Sequence, residues 1–198
     1  MGEVEVPTAD TVCYSFKQNE AVGTNGFVIV VRDDSGIIKE YYYRDVKAMW
    51  QDRLNVILLK EIIESELSNG EVYGIIHIRL ASPGEKISLE NTHPFRFIME
   101  KSNNILYLVH NGSLAKAKIA SMLGLKGSII ERLSDSYFLG LYLSRNIESH
   151  KHEVLSKWYK YLIDNDIVRT ALNTSILCIL ESDVALYVTV YYKCREKY

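Results

Sequence analysis

Seven residues of types that bind charged or polar ligands lie between positions 74 and 112: His77, Arg79, Ser82, Asn91, His93, Asn111 and Gly112. They flank two apolar runs with strand character, VYGIIHIR at 72–79 and ILYLV at 105–109. Charged and amide groups at the ends of buried strands cost free energy unless they are satisfied. Their recurrence there indicates a binding site, and we expect the rest of the chain to position it.

Arg79 is the strongest candidate for holding an anion. Side chains alternate along a strand, so His77 and Arg79 are expected on the same face. An arginine at the end of a buried strand, next to a Ser-Pro-Gly turn, can hold a carboxylate bidentately. The alternative is a structural ion pair with one of the 25 acidic residues, and spacing alone favours that alternative.

Asn111 and Gly112 have the chemistry of an oxyanion hole. The glycine allows a close approach of its backbone N–H, and the asparagine amide can donate beside it. An ordinary Asn-Gly turn is the alternative.

Asp135 falls in the first turn of a predicted helix capped by Ser134, where it serves either as a capping acid or as a partner for a substrate ammonium.

Composition narrows the class of protein. The chain has 198 residues, 47% of them hydrophobic and 24% charged, which is typical of a soluble globular domain. A net charge of −2 without a basic block argues against a nucleic-acid partner. No run reaches membrane-spanning length, and the three cysteines lack framework spacing, so a cytoplasmic location with reduced thiols is expected. The five histidines show no metal-ligand spacing, and neither a metal nor a cofactor is expected.

The hydrophobic periodicity predicts an α+β domain. Strands are expected at 27–31, 37–43, 72–79, 95–99, 105–109, 175–180 and 184–192, with helices at 46–67, 113–123, 134–149 and 153–164. Asn25-Gly26 is predicted to be a turn before the first of these strands, and residues 33–36 a hairpin turn after it. Strands in two blocks with helices between them favour two antiparallel sheets covered by helices.

Four motifs occur in order: HIRLASPG at 77–84, NTHPF at 91–95, HNG at 110–112 and SDS at 134–136. In this combination the chain resembles the class II glutamine amidotransferases of the N-terminal-nucleophile hydrolase superfamily, well over about residues 25–136 and more weakly to the end. The resemblance implies a four-layer αββα sandwich that binds glutamine, or a similar small amino acid, and hydrolyses its side-chain amide. Any chain that uses the ammonia would be a separate synthase or acceptor subunit.

The resemblance also assigns roles to the candidate residues. Arg79, beside His77, would hold the substrate α-carboxylate and Asp135 the α-ammonium, while Ser82 lines the pocket. Asn111 and Gly112 would form the oxyanion hole. The 91–95 segment, which contains Asn91 and His93, would shape the floor of the site.

The nucleophile is the point of departure from that family. Its members attack with a cysteine that begins the mature chain, whose α-amine, with an ordinary pKa of about 8, is the general base. Gly2 follows Met1 here. In one interpretation a leader over residues 1–12 is removed and Cys13 begins a single domain over 13–198. In the other, residues 3–6 are a degenerate first strand and the domain binds glutamine without turnover. Another amidohydrolase of the same superfamily is a third interpretation.

Overall fold

The computed structural model describes residues 23–46, 53–80, 87–148 and 151–193. The chain divides into two compact units, Met1–Thr92 and His93–Tyr198, here called the N-terminal and C-terminal units. Each contains one antiparallel sheet and helices, so the predicted α+β class with two antiparallel sheets is confirmed. Residues 1–12, Cys13 and Ser82 lie outside the described residues. Within the described ranges, no helix combines the length and the hydropathy needed to cross a membrane.

The N-terminal unit is built on a three-stranded sheet. Its described elements are β1 (Gly23–Asp33), β2 (Ile38–Asp45), α1 (Arg53–Glu66), β3 (Gly70–Leu80) and a 3-10 turn (Leu89–Asn91). The strand order is β2-β1-β3, which makes β1 the central strand. One face of β1 and the apolar side of α1 form a single core: Phe27, Ile29, Val31, Leu59, Ile62 and Ile63. Val28 and Val30 on the opposite face are also fully buried, which explains the continuous apolar run FVIVV.

The hairpin between β1 and β2 was predicted correctly. Asp33 organises its turn, since the carboxylate accepts hydrogen bonds from the N–H groups of Ser35 and Ile37, both at 2.9 Å. The turn predicted at Asn25-Gly26 is wrong, because both residues lie within β1. Asn25 pairs with Asp45 and Ile78, and Gly26 with Arg44 and His77. Pairing on both sides of a central strand outweighs the local turn preference of the Asn-Gly sequence.

The C-terminal unit is built on a four-stranded sheet with the order β4-β5-β6-β7. Its described elements are β4 (Phe95–Ile98), β5 (Ile105–Leu114), α2 (Lys116–Met122), α3 (Ile129–Arg132), α4 (Asp135–Asn146), α5 (His152–Asp164), β6 (Val168–Ile179) and β7 (Val184–Thr189). The core combines alternate strand residues with the inner faces of the helices, among them Phe95, Leu106, Leu108, Phe138, Leu143, Leu162 and Ile176.

Local sequence features mark two of the helix ends in this unit. Ser134 caps α4, its side chain accepting the N–H of Tyr137 at 3.2 Å. Gly124 follows α2 with φ +71°, the left-handed conformation expected after a helix. Helix α2 nevertheless begins at Lys116 rather than at Ser113, because Ser113 and Leu114 still belong to β5. The short helix α3 was not predicted.

Two strand boundaries of this unit differ from the prediction. The predicted strand at 175–180 begins seven residues earlier, at Val168, where β6 pairs with the extended end of β5. The predicted strand at 184–192 is shorter, since β7 ends at Thr189 and Tyr192 makes only an isolated bridge to Ala171. Pairing with β5 lengthens β6, whereas beyond Thr189 the N–H of Tyr191 bonds the side chain of Asn173.

Candidate functional site

The end of β5 holds the predicted oxyanion-hole residues. The strand was predicted to end at Val109, but it continues through Asn111 and Gly112, which pair with Asn173 and Leu172 of β6. The alternative of an ordinary Asn-Gly turn is therefore wrong. The register shifts between Gly112 and Leu114, so the strand is irregular at this point. Asn111 and Gly112 are both exposed to solvent, which leaves their polar groups accessible to a ligand.

Gly112 is required by the geometry of this irregularity. Its φ is +150°, a conformation that residues with a Cβ rarely adopt. A Cβ atom at this position would lie 2.0 Å from the carbonyl oxygen of Ala171 and 2.9 Å from Nε2 of His110. No other residue fits without displacing the β6 backbone, so the sequence at 112 is fixed by the close approach of two strands.

The buried His110 side chain holds the same segment in place through two contacts. It is 3% exposed, and its Nδ1 lies 2.9 Å from Oγ of Ser136 on α4. Its Nε2 lies 3.5 Å from the carbonyl oxygen of Ala171 on β6. Because a carbonyl can only accept, we assign the proton to Nε2, which leaves Nδ1 to accept the Ser136 hydroxyl. The imidazole thus joins β5 to helix α4 and to strand β6.

Asp135 joins the N-terminus of α4 to the irregular end of β5. Its Oδ2 accepts the N–H of Leu114 at 2.8 Å, and its Oδ1 accepts the N–H of Ser136 at 2.8 Å. The Ser136 hydroxyl also approaches Oδ1, at 3.4 Å. Both carboxylate oxygens therefore take part in holding Leu114 and the helix start. The negative charge lies in the first helical turn, where the helix dipole stabilises it.

In the N-terminal unit, β3 carries His77 and Arg79. They pair with Gly26 and Thr24 of β1. Thr24, opposite Arg79, is 4% exposed, and its hydroxyl has no hydrogen-bond partner among the described residues. Burying a hydroxyl without a hydrogen-bond partner costs free energy.

The 91–95 segment is buried. Asn91 ends the 3-10 turn and is 5% exposed, and His93 is fully buried. The His93 ring packs edge-on against Phe95 at 4.5 Å, and the His93–Pro94 peptide bond is cis. Within the N-terminal unit, the Thr92 carbonyl accepts from the Arg44 guanidinium at 3.0 Å.

The structure thus brings together Asn111, Gly112 and Asp135 in the C-terminal unit, and His77 with the backbone of Arg79 in the N-terminal unit. Sequence reasoning gave no role to His110, Ser136 or Ala171. Two of them, His110 and Ser136, belong to the motifs HNG at 110–112 and SDS at 134–136. Among the described residues, no three His, Cys, Asp or Glu side chains are grouped so as to hold a metal ion.

Comparisons with known proteins assign no family. None of the protein-family models matches the chain, and no curated protein matches it in sequence. Any function must therefore be argued from the residues and geometry described above.

Proposed function

We propose that the chain is a glutamine-binding domain of the class II amidotransferase type, with Asn111 and Gly112 as the donors to the substrate amide oxygen. The observation that carries the proposal is the end of β5, where an exposed asparagine is followed by a glycine that no other residue can replace. A backbone N–H held at a strand irregularity, with an exposed amide donor beside it, is suited to stabilise an oxyanion. The HNG sequence of that segment is one of the motifs on which the resemblance rests.

The rigidity of this segment supports the proposal further. His110 and Asp135 bind it from two directions, through Ser136, Ala171 and the N–H of Leu114. Donors that are fixed before the substrate arrives need no reorganisation during the reaction. The segment is therefore better suited to bind a developing negative charge than a mobile surface turn would be.

Hydrolysis requires Cys13 to begin the mature chain. Its thiolate would then attack the side-chain amide carbon, after its own α-amine has taken the thiol proton. The oxyanion forms against Asn111 and Gly112, and ammonia leaves with that proton as the C–N bond breaks. Water then hydrolyses the thioester to release glutamate. The ammonia would pass to a separate acceptor subunit.

The same proposal includes the αββα layering and the remaining substrate contacts. In support of it, the three-stranded sheet has helix α1 packed on one face, and the four-stranded sheet has helices packed on one face. The resemblance assigns the α-carboxylate to Arg79 and the α-ammonium to Asp135. Asp135 keeps acceptor capacity for an ammonium, since two carboxylate oxygens offer about four lone-pair positions.

Binding is tested by thermal unfolding with L-glutamine, using D-glutamine as the matched control. We expect L-glutamine to raise the melting temperature of the intact protein, because a ligand that binds only the folded state stabilises it. Asn111→Ala and Arg79→Ala should each abolish this rise. Asn104→Ala removes the same amide from the turn before β5 and should leave it unchanged. Equal responses to L- and D-glutamine, or no response, would contradict the proposal.

Turnover is tested separately. The mass of the protein from its native host shows whether the chain begins at Cys13, and glutamate release shows whether it is active. Release that disappears in Cys13→Ser establishes the nucleophile. L-glutamine binding without release, by a chain that keeps residues 1–12, would identify a binding module without hydrolase activity.

A further inference from the structure

A groove in the C-terminal unit runs along β7 beside helix α5, and the proposed glutamine site does not use it. Its volume is about 410 Å³. Helix α5 contributes His152, Ser156 and Lys160, and β7 with the residue that follows it contributes the other wall, 187–190. The buried Tyr159 also lines the groove, and its hydroxyl is hydrogen-bonded to Thr174 of β6.

Strand β7 lies at the end of the sheet order β4-β5-β6-β7 formed by the described strands. Alternate side chains on one side of this segment are apolar and exposed: Leu186 by 42%, Val188 by 68% and Val190 by 69%. Edge strands of stable proteins usually carry charges or prolines that discourage further pairing. An apolar row on a terminal strand, next to a groove, is the arrangement that binds an added strand.

The charge of the groove indicates what kind of strand it would bind. Lys160 and His152 line it, and none of its described lining residues is acidic. The carboxylates that act on the groove residue Tyr187 are Asp183, which precedes β7, and Glu153 at the start of α5. A second copy pairing through β7 would bring a second Lys160 to the interface. An acidic partner is favoured over a second copy for this reason.

We infer that the β7–α5 groove binds an extended peptide segment of a partner protein, in which apolar residues alternate with acidic ones. The segment adds as a fifth strand along β7. Its apolar side chains continue the row formed by Leu186, Val188 and Val190, and its carboxylates face Lys160.

The probe is a fluorescein-labelled peptide of about eight residues, an ordinary strand length, in which valine alternates with glutamate. A second peptide has lysine in place of every glutamate. Binding to the full chain is followed by fluorescence anisotropy. Lys160→Glu should weaken binding of the glutamate peptide by about tenfold and improve binding of the lysine peptide, because an attraction becomes a repulsion. Lys157→Glu makes the same charge change on α5 outside the groove lining and should leave both affinities nearly unchanged.

Val188→Lys tests the strand itself. Because Val188 is mostly exposed, the variant should fold with an unchanged melting temperature while losing the peptide. Light scattering measures the oligomeric state of the same samples. No binding of either peptide, or binding that Lys160→Glu and Val188→Lys leave unaltered, would overturn the inference. A dimer that Val188→Lys dissociates would overturn it as well, in favour of a second copy.

Discussion

Replacing Gly112 by alanine should destabilise the C-terminal unit strongly. The new Cβ would lie 2.0 Å from the Ala171 carbonyl oxygen, well inside van der Waals contact, and the backbone would have to keep φ +150°. Overpacking against an immobile backbone costs about 1 to 3 kcal/mol, and an unfavourable backbone conformation about 1 to 3 kcal/mol more. The expected loss in the free energy of unfolding is therefore about 2 to 6 kcal/mol, a large part of an ordinary domain's stability.

Gly124→Ala is the matched control for this change. Gly124 also has a positive φ, +71°, but no atom lies within 4 Å of the position its Cβ would take. It should lose only the conformational contribution, about 1 kcal/mol. The difference between the two variants measures the additional cost at Gly112, which comes from its contacts with Ala171 and His110 and from its different backbone conformation.

Urea unfolding followed by tryptophan fluorescence provides the assay. Trp158 lies on α5 and packs edge-on against Tyr142 of α4 at 5.8 Å, so it reports on the C-terminal unit. The chain has one other tryptophan, Trp50, which a Trp50→Phe background removes. With a slope of about 2 kcal/mol per M, Gly112→Ala should lower the midpoint by about 1 to 3 M. Equal midpoints for Gly112→Ala and Gly124→Ala would refute the reasoning, since the β5–β6 contact would then relax without cost.

Three further predictions concern buried polar groups. Hydrogen bonds from Tyr41 and Lys39 lower the pKa of the buried Glu66 carboxyl below its ordinary 4.5. The ionised Glu66 should therefore stabilise the fold fully above pH 4.5, and this stabilisation should be lost as the pH falls through the lowered pKa. Urea midpoints measured against pH should fall less over this pH range in Glu66→Gln than in the unchanged protein. Tyr159→Phe should lower the free energy of unfolding by about 1 to 3 kcal/mol, because it leaves the buried Thr174 hydroxyl without this hydrogen bond. Adding Thr174→Val should restore part of that free energy, as measured in a double-mutant cycle. Strictly additive effects of the two substitutions would contradict the hydrogen bond. Burial raises the pKa of the Cys178 thiol to about 12. In a Cys13→Ser/Cys194→Ser background, a thiol reagent at pH 8 should therefore modify Cys178 only at the rate at which the C-terminal unit unfolds and exposes it. Modification at the rate of a free thiol would contradict its burial.

Elements with strong local signals were predictable from the sequence. The Asp33 turn, the Ser134 cap and the Gly124 helix end depend on atoms within a few residues of one another, so composition and spacing reveal them. The Asn25-Gly26 prediction failed because the outcome depends on strands from elsewhere in the chain. Because β1 is the central strand, its backbone is paired along both edges, with β2 and with β3. No local pattern in the sequence indicates which strand will be central.

The candidate site was predictable in its residues but not in their connections. Asn111, Gly112 and Asp135 were selected by type and order. The partner of Asp135 is the N–H of Leu114, 21 residues earlier in the chain. That bond exists only because β5 continues past Val109 and changes register after Gly112. The continuation depends in turn on β6 approaching Gly112 through Ala171, a contact 59 residues away in sequence that spacing cannot reveal.

At the proposed glutamine site, a change at Asp135 would alter both folding and ligand binding. Each of its oxygens already accepts a backbone N–H at 2.8 Å, one in the irregular end of β5 and one in the first turn of α4. An asparagine has one oxygen to accept with, so Asp135→Asn must lose one of these bonds as well as the charge. A buried N–H left without its partner costs about 1 to 3 kcal/mol, and the segment that carries Asn111 and Gly112 would loosen with it. A smaller rise in melting temperature with glutamine in an Asp135 variant would therefore have two explanations. Either the proposed oxyanion segment has moved, or the contact with the substrate ammonium is lost. Asn111, whose side chain is exposed, is the residue at which the two effects can be separated.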